Sequence, residues 1–347
     1  MTTGQNEQAE QLFRQAFEVA EDSGESEAMA HLLFLQGNVA RERGKARDAE
    51  RCYRECLAVS RALGVREGIG NALLGLSKLA RESGATAEAH RFLTAAEEQF
   101  EGSQDTRALA DTSRQRAFIY MKEGNWSEAK QQFKNALQFN LQREDKWGLA
   151  HVHRDLAELA VLRGRNDEGQ INARKALDLF ENIGARFGFA KSVFTLAEVH
   201  KAQGHFQAAG EQFQRALSIY EALGAQPEIS ETMFQIGVVA LRLGRPREAK
   251  TWFDQARVQA AQVDDAFLEG MALAGLAWAG ASGDDPQSTR AYLQHAHRRL
   301  PRDTNFVPDL ADIYLACARC FENHNEKALA EACRRKGQLI QQSLGRA

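Results

Sequence analysis

Glycine returns along this chain at Gly4, Gly44, Gly84, Gly124, Gly164, Gly204 and Gly244, each forty residues after the last. The same grid is read onward, one residue short, through Gly283 to Asn323. Glycine, and Asn after it, tolerates the left-handed backbone that closes a helix. A fixed period of this size means stacked supersecondary units, each burying its apolar face against its neighbours. The chain is therefore expected to be one solenoid over 1–347.

Each period reads as two helices. Pro227 can open a helix, because its missing N–H would be unsatisfied at that position anyway. Met233, Ile236, Val239 and Ala240 follow at helical spacing up to Gly244, and Pro246 then starts a second helix carrying Ala249, Phe253 and Ala256. Other periods keep this register. Ala49, Ala89, Ala129, Ala209 and Ala249 stand five residues after the grid position, and Tyr53, Phe133, Phe213 and Phe253 nine after it. Ala96, Ala136, Ala176, Ala216 and Ala256 stand twelve after it, and the small residues Gly37, Ser77, Ala117, Ala157, Ala197 and Gly237 seven before it. Small residues let antiparallel helices approach, and the aromatic ring is expected to fill the gap toward the next repeat. A second series, Gly24, Gly64, Gly184 and Gly224, falls halfway and ends the second helices. No segment alternates apolar and polar residues as a strand does, so the fold class is all-α.

Composition narrows function mainly by exclusion. A net charge of −3 gives no concentrated basic footprint for nucleic acid or an anionic membrane surface. No apolar run approaches the ~20 residues that span a bilayer, and the first residues have no signal-peptide pattern. Five cysteines, all inside helical patterns, fit a reducing, cytoplasmic setting. Cys317 and Cys320 share a helix face with His324 and Cys333 nearby; packing explains them better than zinc, as it does Cys52 and Cys56. His151 with His153, and His295 with His297, are two apart on a helix and diverge. No phosphate loop, nucleophile elbow or zinc-protease motif is present. No metal, cofactor or catalytic activity is expected.

The register of small residue, glycine, alanine, aromatic and alanine resembles the tetratricopeptide repeat across essentially the whole chain. The unit is longer than the common 34-residue form and lacks the usual first-helix Trp. Long units of this kind are similar to those of Pins-type polarity adaptors, kinesin light chain, Rap-type peptide receptors of bacilli and the sensor domain of MalT-type regulators. The resemblance implies a right-handed solenoid of antiparallel helix pairs: a half repeat over 5–24, seven pairs over 25–299 and a last pair over 300–347. It also implies a peptide or protein segment bound in a concave groove. The chain is expected to be an adaptor or, alternatively, a sensor whose superhelix changes on binding a signalling peptide or small ligand. Leu12, Phe13 and Phe17 make the half repeat apolar where a cap should be polar, so this edge is either a cap or a homo-oligomer contact.

In that family the groove is lined by first-helix positions thirteen, ten, six, three and two before the grid residue. Here those offsets select His31, Phe34, Asn38, Arg41, Asn71, Lys78 and Arg81, then Asp111, Arg114, Phe118 and Lys122. His151, Arg154, Glu158, Lys191, Phe194, Glu198 and Lys201 follow. Basic groups interleaved with aromatic rings fit an acidic peptide. Further on the lining turns apolar, with Phe234, Val238, Leu241, Met271, Trp278, Leu310, Ile313 and Phe321. Such a strip should not face water, so an apolar ligand segment or part of the protein itself, its last helix for example, is expected to cover it.

Overall fold

The computed structural model describes residues 26–301 and 307–343. The half repeat at 5–24, with Leu12, Phe13 and Phe17, lies outside the described residues. The described part contains sixteen helices and no strand. The first helices of the pairs are α1 (Ser26–Glu42), α3 (Arg66–Glu82), α5 (Thr106–Lys122), α7 (Lys146–Leu162), α9 (Arg186–Ala202), α11 (Gln226–Arg242), α13 (Ala266–Ser282) and α15 (Pro308–Asn323). Their partners are α2 (Ala46–Leu63), α4 (Thr86–Ser103), α6 (Trp126–Gln142), α8 (Asn166–Asn182), α10 (Phe206–Leu223), α12 (Pro246–Gln262), α14 (Pro286–Arg299) and α16 (Lys327–Ser343). The chain divides into two compact units, unit 1 ending at Val152 and unit 2 beginning at His153, within α7.

The helix stops explain the period. Gly44, Gly84, Gly124, Gly164, Gly204 and Gly244 all have positive φ, between 68° and 84°. At the first, the Gly44 N–H donates to the Arg41 carbonyl and the Lys45 N–H to the Ala40 carbonyl, each at 2.9 Å. Two carbonyls left over at the helix end are thereby satisfied. The halfway series is filled from 64 to 264, because Gln104, Glu144 and Asp264 take positive φ where the series of Gly64, Gly184 and Gly224 lacks glycine. A left-handed residue thus closes a helix every twenty residues from Gly44 to Asp284. The grid position near the end is corrected. Gly283 has φ −91° and Asp284 is left-handed at 55°, so the forty-residue step from Gly244 is kept and no residue is lost. Asn323 is the last residue of α15, and the left-handed residue there is Asn325.

At Gly37, Gly75, Gly237 and Gly275 the missing side chain is the seat of a ring. A Cβ on Gly237 would stand 2.6 Å from the Phe253 ring, and one on Gly275 2.5 Å from the same ring. Phe253, fully buried on α12, is therefore wedged between α11 of its own pair and α13 of the next. Tyr53 sits in the same way between Gly37 and Gly75. This is the inter-repeat wedge that the aromatic series predicts. The alanines five and twelve after each grid glycine are likewise buried.

Candidate functional site

In unit 1 the predicted first-helix residues form one polar strip over α1, α3 and α5, and it is organised by ion pairs. Arg41 meets Glu82 at 2.8 Å, and Lys78 meets Asp111 at 2.9 Å. The Arg81 and Arg114 guanidiniums both lie over the Phe118 ring, at 5.7 and 5.6 Å from its centre. Phe118 is fixed in turn, edge-on against the buried Phe133 at 5.5 Å. The Lys122 ammonium donates to the Arg81 carbonyl at 3.0 Å. Asn38 accepts from the Tyr53 hydroxyl at 2.8 Å, with Phe34 tilted against the same ring. Asn71 is half-buried on α3, His31 is exposed on α1, and His151 packs against Trp147.

Asp111 is the carboxylate at the centre of this strip. Loss of hydration acts to raise its pKa, but Lys78 and Arg114 outweigh that and hold it at about 2. At the predicted positions of unit 1, cations outnumber carboxylates. The strip therefore presents oriented donors around an aromatic ring, which suits a carboxylate beside an apolar group.

Unit 2 has the opposite balance. Arg154 pairs with the buried Asp155 at 2.8 Å, Lys191 with Glu228 at 3.3 Å, and Lys201 with Glu198 at 3.1 Å. Glu158 and Glu231 add further carboxylates among these groups. Although Glu231 keeps solvent contact, the surrounding protein displaces hydration and Glu198 repels its charge. Its pKa is pushed up to about 7. Displaced hydration and then Asp155 push Glu158 upward too. The basic strip expected from the sequence thus turns acidic here, because Glu231 fills the thirteen-before position of its repeat, Glu228 sits outside the assumed lining and Asp309 arrives from α15. Phe194 packs edge-on against Phe213 at 5.1 Å, as part of the core.

The apolar strip does not face water. Phe234, Val238, Met271 and Trp278 are buried in one cluster with Leu310, Ile313, Cys317 and Phe321. The covering element is α15 and not the last helix, so Leu310, Ile313 and Phe321 belong to the cover, not to the surface beneath it. Cys317, Cys320 and Cys333 are buried, and loss of hydration drives the Cys317 thiol well above its ordinary pKa. Among the described residues no group of His, Cys, Asp and Glu gathers as metal ligands do, and no helix is long and apolar enough to cross a membrane.

The tetratricopeptide repeat family model matches residues 1–62 and 189–257. The fold is a tetratricopeptide-type solenoid. The Rap conjugation gene regulator of plasmid pLS20, solved with the Phr* peptide, is similar with a TM-score of 0.66 at 14% identity, over 91% of this chain and 96% of that one. A Rap protein complexed with Competence and Sporulation Factor is similar with a TM-score of 0.60 at 14% identity, over 92% of this chain and 99% of that one. A STAND protein with a tetratricopeptide repeat sensor, from Pyrococcus horikoshii, gives 0.65 at 16%, over 94% of this chain and 49% of that one. At such identities the likeness is one of fold. No curated protein matches the chain. The reading of the sequence left out Glu231, although it stands thirteen before Gly244, and it missed Glu228 and Asp309; the place of Asp309 depends on which helices meet across many repeats.

Proposed function

We propose that this solenoid is a non-catalytic binding module that holds a peptide or protein segment along its first helices. Unit 1 would read an acidic or carboxylate-ended stretch. The observation that carries this reading is the Arg81–Phe118–Arg114 arrangement, with two planar donors held over one anchored ring. Pre-set donors lose less freedom on binding than mobile lysines do. A charge-assisted contact there contributes roughly 1.5–3 kcal/mol when shielded, and less in contact with solvent. The buried, unpaired thiols fit a cytoplasmic setting.

A second reading, the peptide sensor, draws support from the similar Rap structures, two of which hold Phr* peptide or Competence and Sporulation Factor. It keeps the same strip and adds a change of shape on binding. Screening the protein against arrayed ten-residue peptides of graded charge tests the common core of both readings. Acidic peptides should be retained, and Arg81→Glu with Arg114→Glu should weaken them at least tenfold without loss of helicity. Retention that ignores peptide charge and survives both substitutions would refute the assignment of unit 1.

A further inference from the structure

We propose that α15, carried with α16 as a pair, is an internal ligand of unit 2, and that the surface under it takes an acidic amphipathic helix from a partner when the pair is displaced. This rests on reading the chain as a binding module, but on a different surface from the unit 1 strip.

The contacts are those of a seated ligand. Asp309, in the first turn of α15, is nearly buried, with both carboxylate oxygens 3.3–3.4 Å from the Lys201 ammonium on α9. The Gln235 amide of α11 donates to Asp309 at 3.1 Å, while its carbonyl accepts from Lys201 at 2.7 Å. One turn on, Asp312 pairs with Arg242 of α11. The Arg242 guanidinium also lies 5.1 Å over the Trp278 ring of α13. Two carboxylates three residues apart are thus read by groups from two other helices. Leu310, Ile313, Cys317 and Phe321 meanwhile close over Phe234, Val238, Met271 and Trp278.

The placement of α15 differs from that of other first helices in unit 2. Both α11 and α13 pack closely on the second helix before them, whereas α15 packs little on α14; its main packing is on α16, its partner in the pair, and then on α13. The α14 helix is shorter than its counterparts, and Leu300 at its end is extended, with ψ 135°, instead of leading to a left-handed turn. The cover is therefore held by α16 and by its own face on α13, with little help from the helix before it. That face, Asp309-Leu310-x-Asp312-Ile313 with Cys317 and Phe321 beyond, defines the partner: a helix with carboxylates at i and i+3 beside an apolar stripe. The charges under α15 favour that sign, since Arg242 loses Asp312 and Lys201 loses one of its two carboxylates, keeping Glu198, when α15 leaves.

The test uses the full chain and a fluorescent synthetic peptide of residues 308–323. Asp309→Asn with Asp312→Asn in the protein should loosen the internal helix, so the peptide should bind this variant at least tenfold tighter than the parent. Adding Lys201→Glu to the variant should abolish that gain. Hydrogen exchange should show α15 amides opening faster than those of α13 in the double variant. Peptide binding that is equal in parent and variant, or exchange of α15 in step with α13, would make α15 an ordinary integral helix and overturn the proposal. Should the double variant unfold, the charge swap Lys201→Glu with Asp309→Lys decides. Recovered protection of α15 supports the pairing as its anchor, and lost protection overturns it. Neither outcome depends on Arg81 or Arg114, so failure here is separable from failure of the unit 1 strip.

Discussion

Phe253 shows how much of this fold is decided by single residues. Its ring occupies the space that a Cβ at Gly237 or Gly275 would need, so side chain and vacancy are two halves of one contact. Gly237→Ala should force the ring to move and cost about 1–3 kcal/mol, by analogy with overpacked cores. Phe133→Ala should leave a cavity and cost about 3–5 kcal/mol. Chemical denaturation of both variants measures this, and unchanged midpoints would mean the seats are not under load. These pairs were legible in the sequence because ring and glycine recur at constant offsets. Gln104, Glu144, Asp264 and Asp284 were not legible, since a left-handed residue without glycine leaves no chemical signature. At Glu144 the left-handed backbone costs a side-chain-bearing residue about 1–2 kcal/mol, and glycine's larger unfolded-state freedom returns part of that. Glu144→Gly should therefore raise the thermal midpoint by a few degrees; a lowered midpoint would contradict the cap assignment.

At the scale of elements, helix order and length followed from punctuation alone. Pro227 and Pro246 stand in the first turns of α11 and α12, as their missing N–H groups predict. What punctuation could not reveal was which surface α15 would choose. Its apolar face looked like groove lining because composition records that a face must be buried, not against what. The Lys201–Asp309 contact joins residues 108 apart in sequence, beyond any local pattern. Burial disfavours the Lys201 charge, yet Asp309 and then Glu198 overcome this and hold its pKa above the ordinary lysine value. Trp278→Ala should then act on stability before it acts on any ligand. It removes a buried ring from the shared cluster, at about 3–5 kcal/mol. Loss of binding without loss of stability would place Trp278 on an open surface instead.

Across the whole molecule, the two units carry different charge along their first helices, basic around Arg81 and Arg114 and acidic around Glu158 and Glu231. The acidic part has a pH signature. Glu231 has its folded pKa raised to about 7, so the folded state holds a proton that the unfolded chain, near the ordinary glutamate value of 4.5, has lost. Its contribution to stability is therefore greatest below about pH 4.5 and declines as pH rises through 7. Glu231→Gln should flatten that decline and raise the thermal midpoint at pH 8 relative to the parent; an unaltered pH profile would show that Glu231 titrates normally.

The central claim is that partners lie along the first helices, and a photo-crosslinker tests it most directly. With p-benzoyl-phenylalanine placed at Asn71 on α3, an acidic peptide retained by the array should be covalently captured. The same group at Arg91, exposed on α4, should capture little. Capture at 91 but not at 71 would put the binding surface on the second helices and contradict the account.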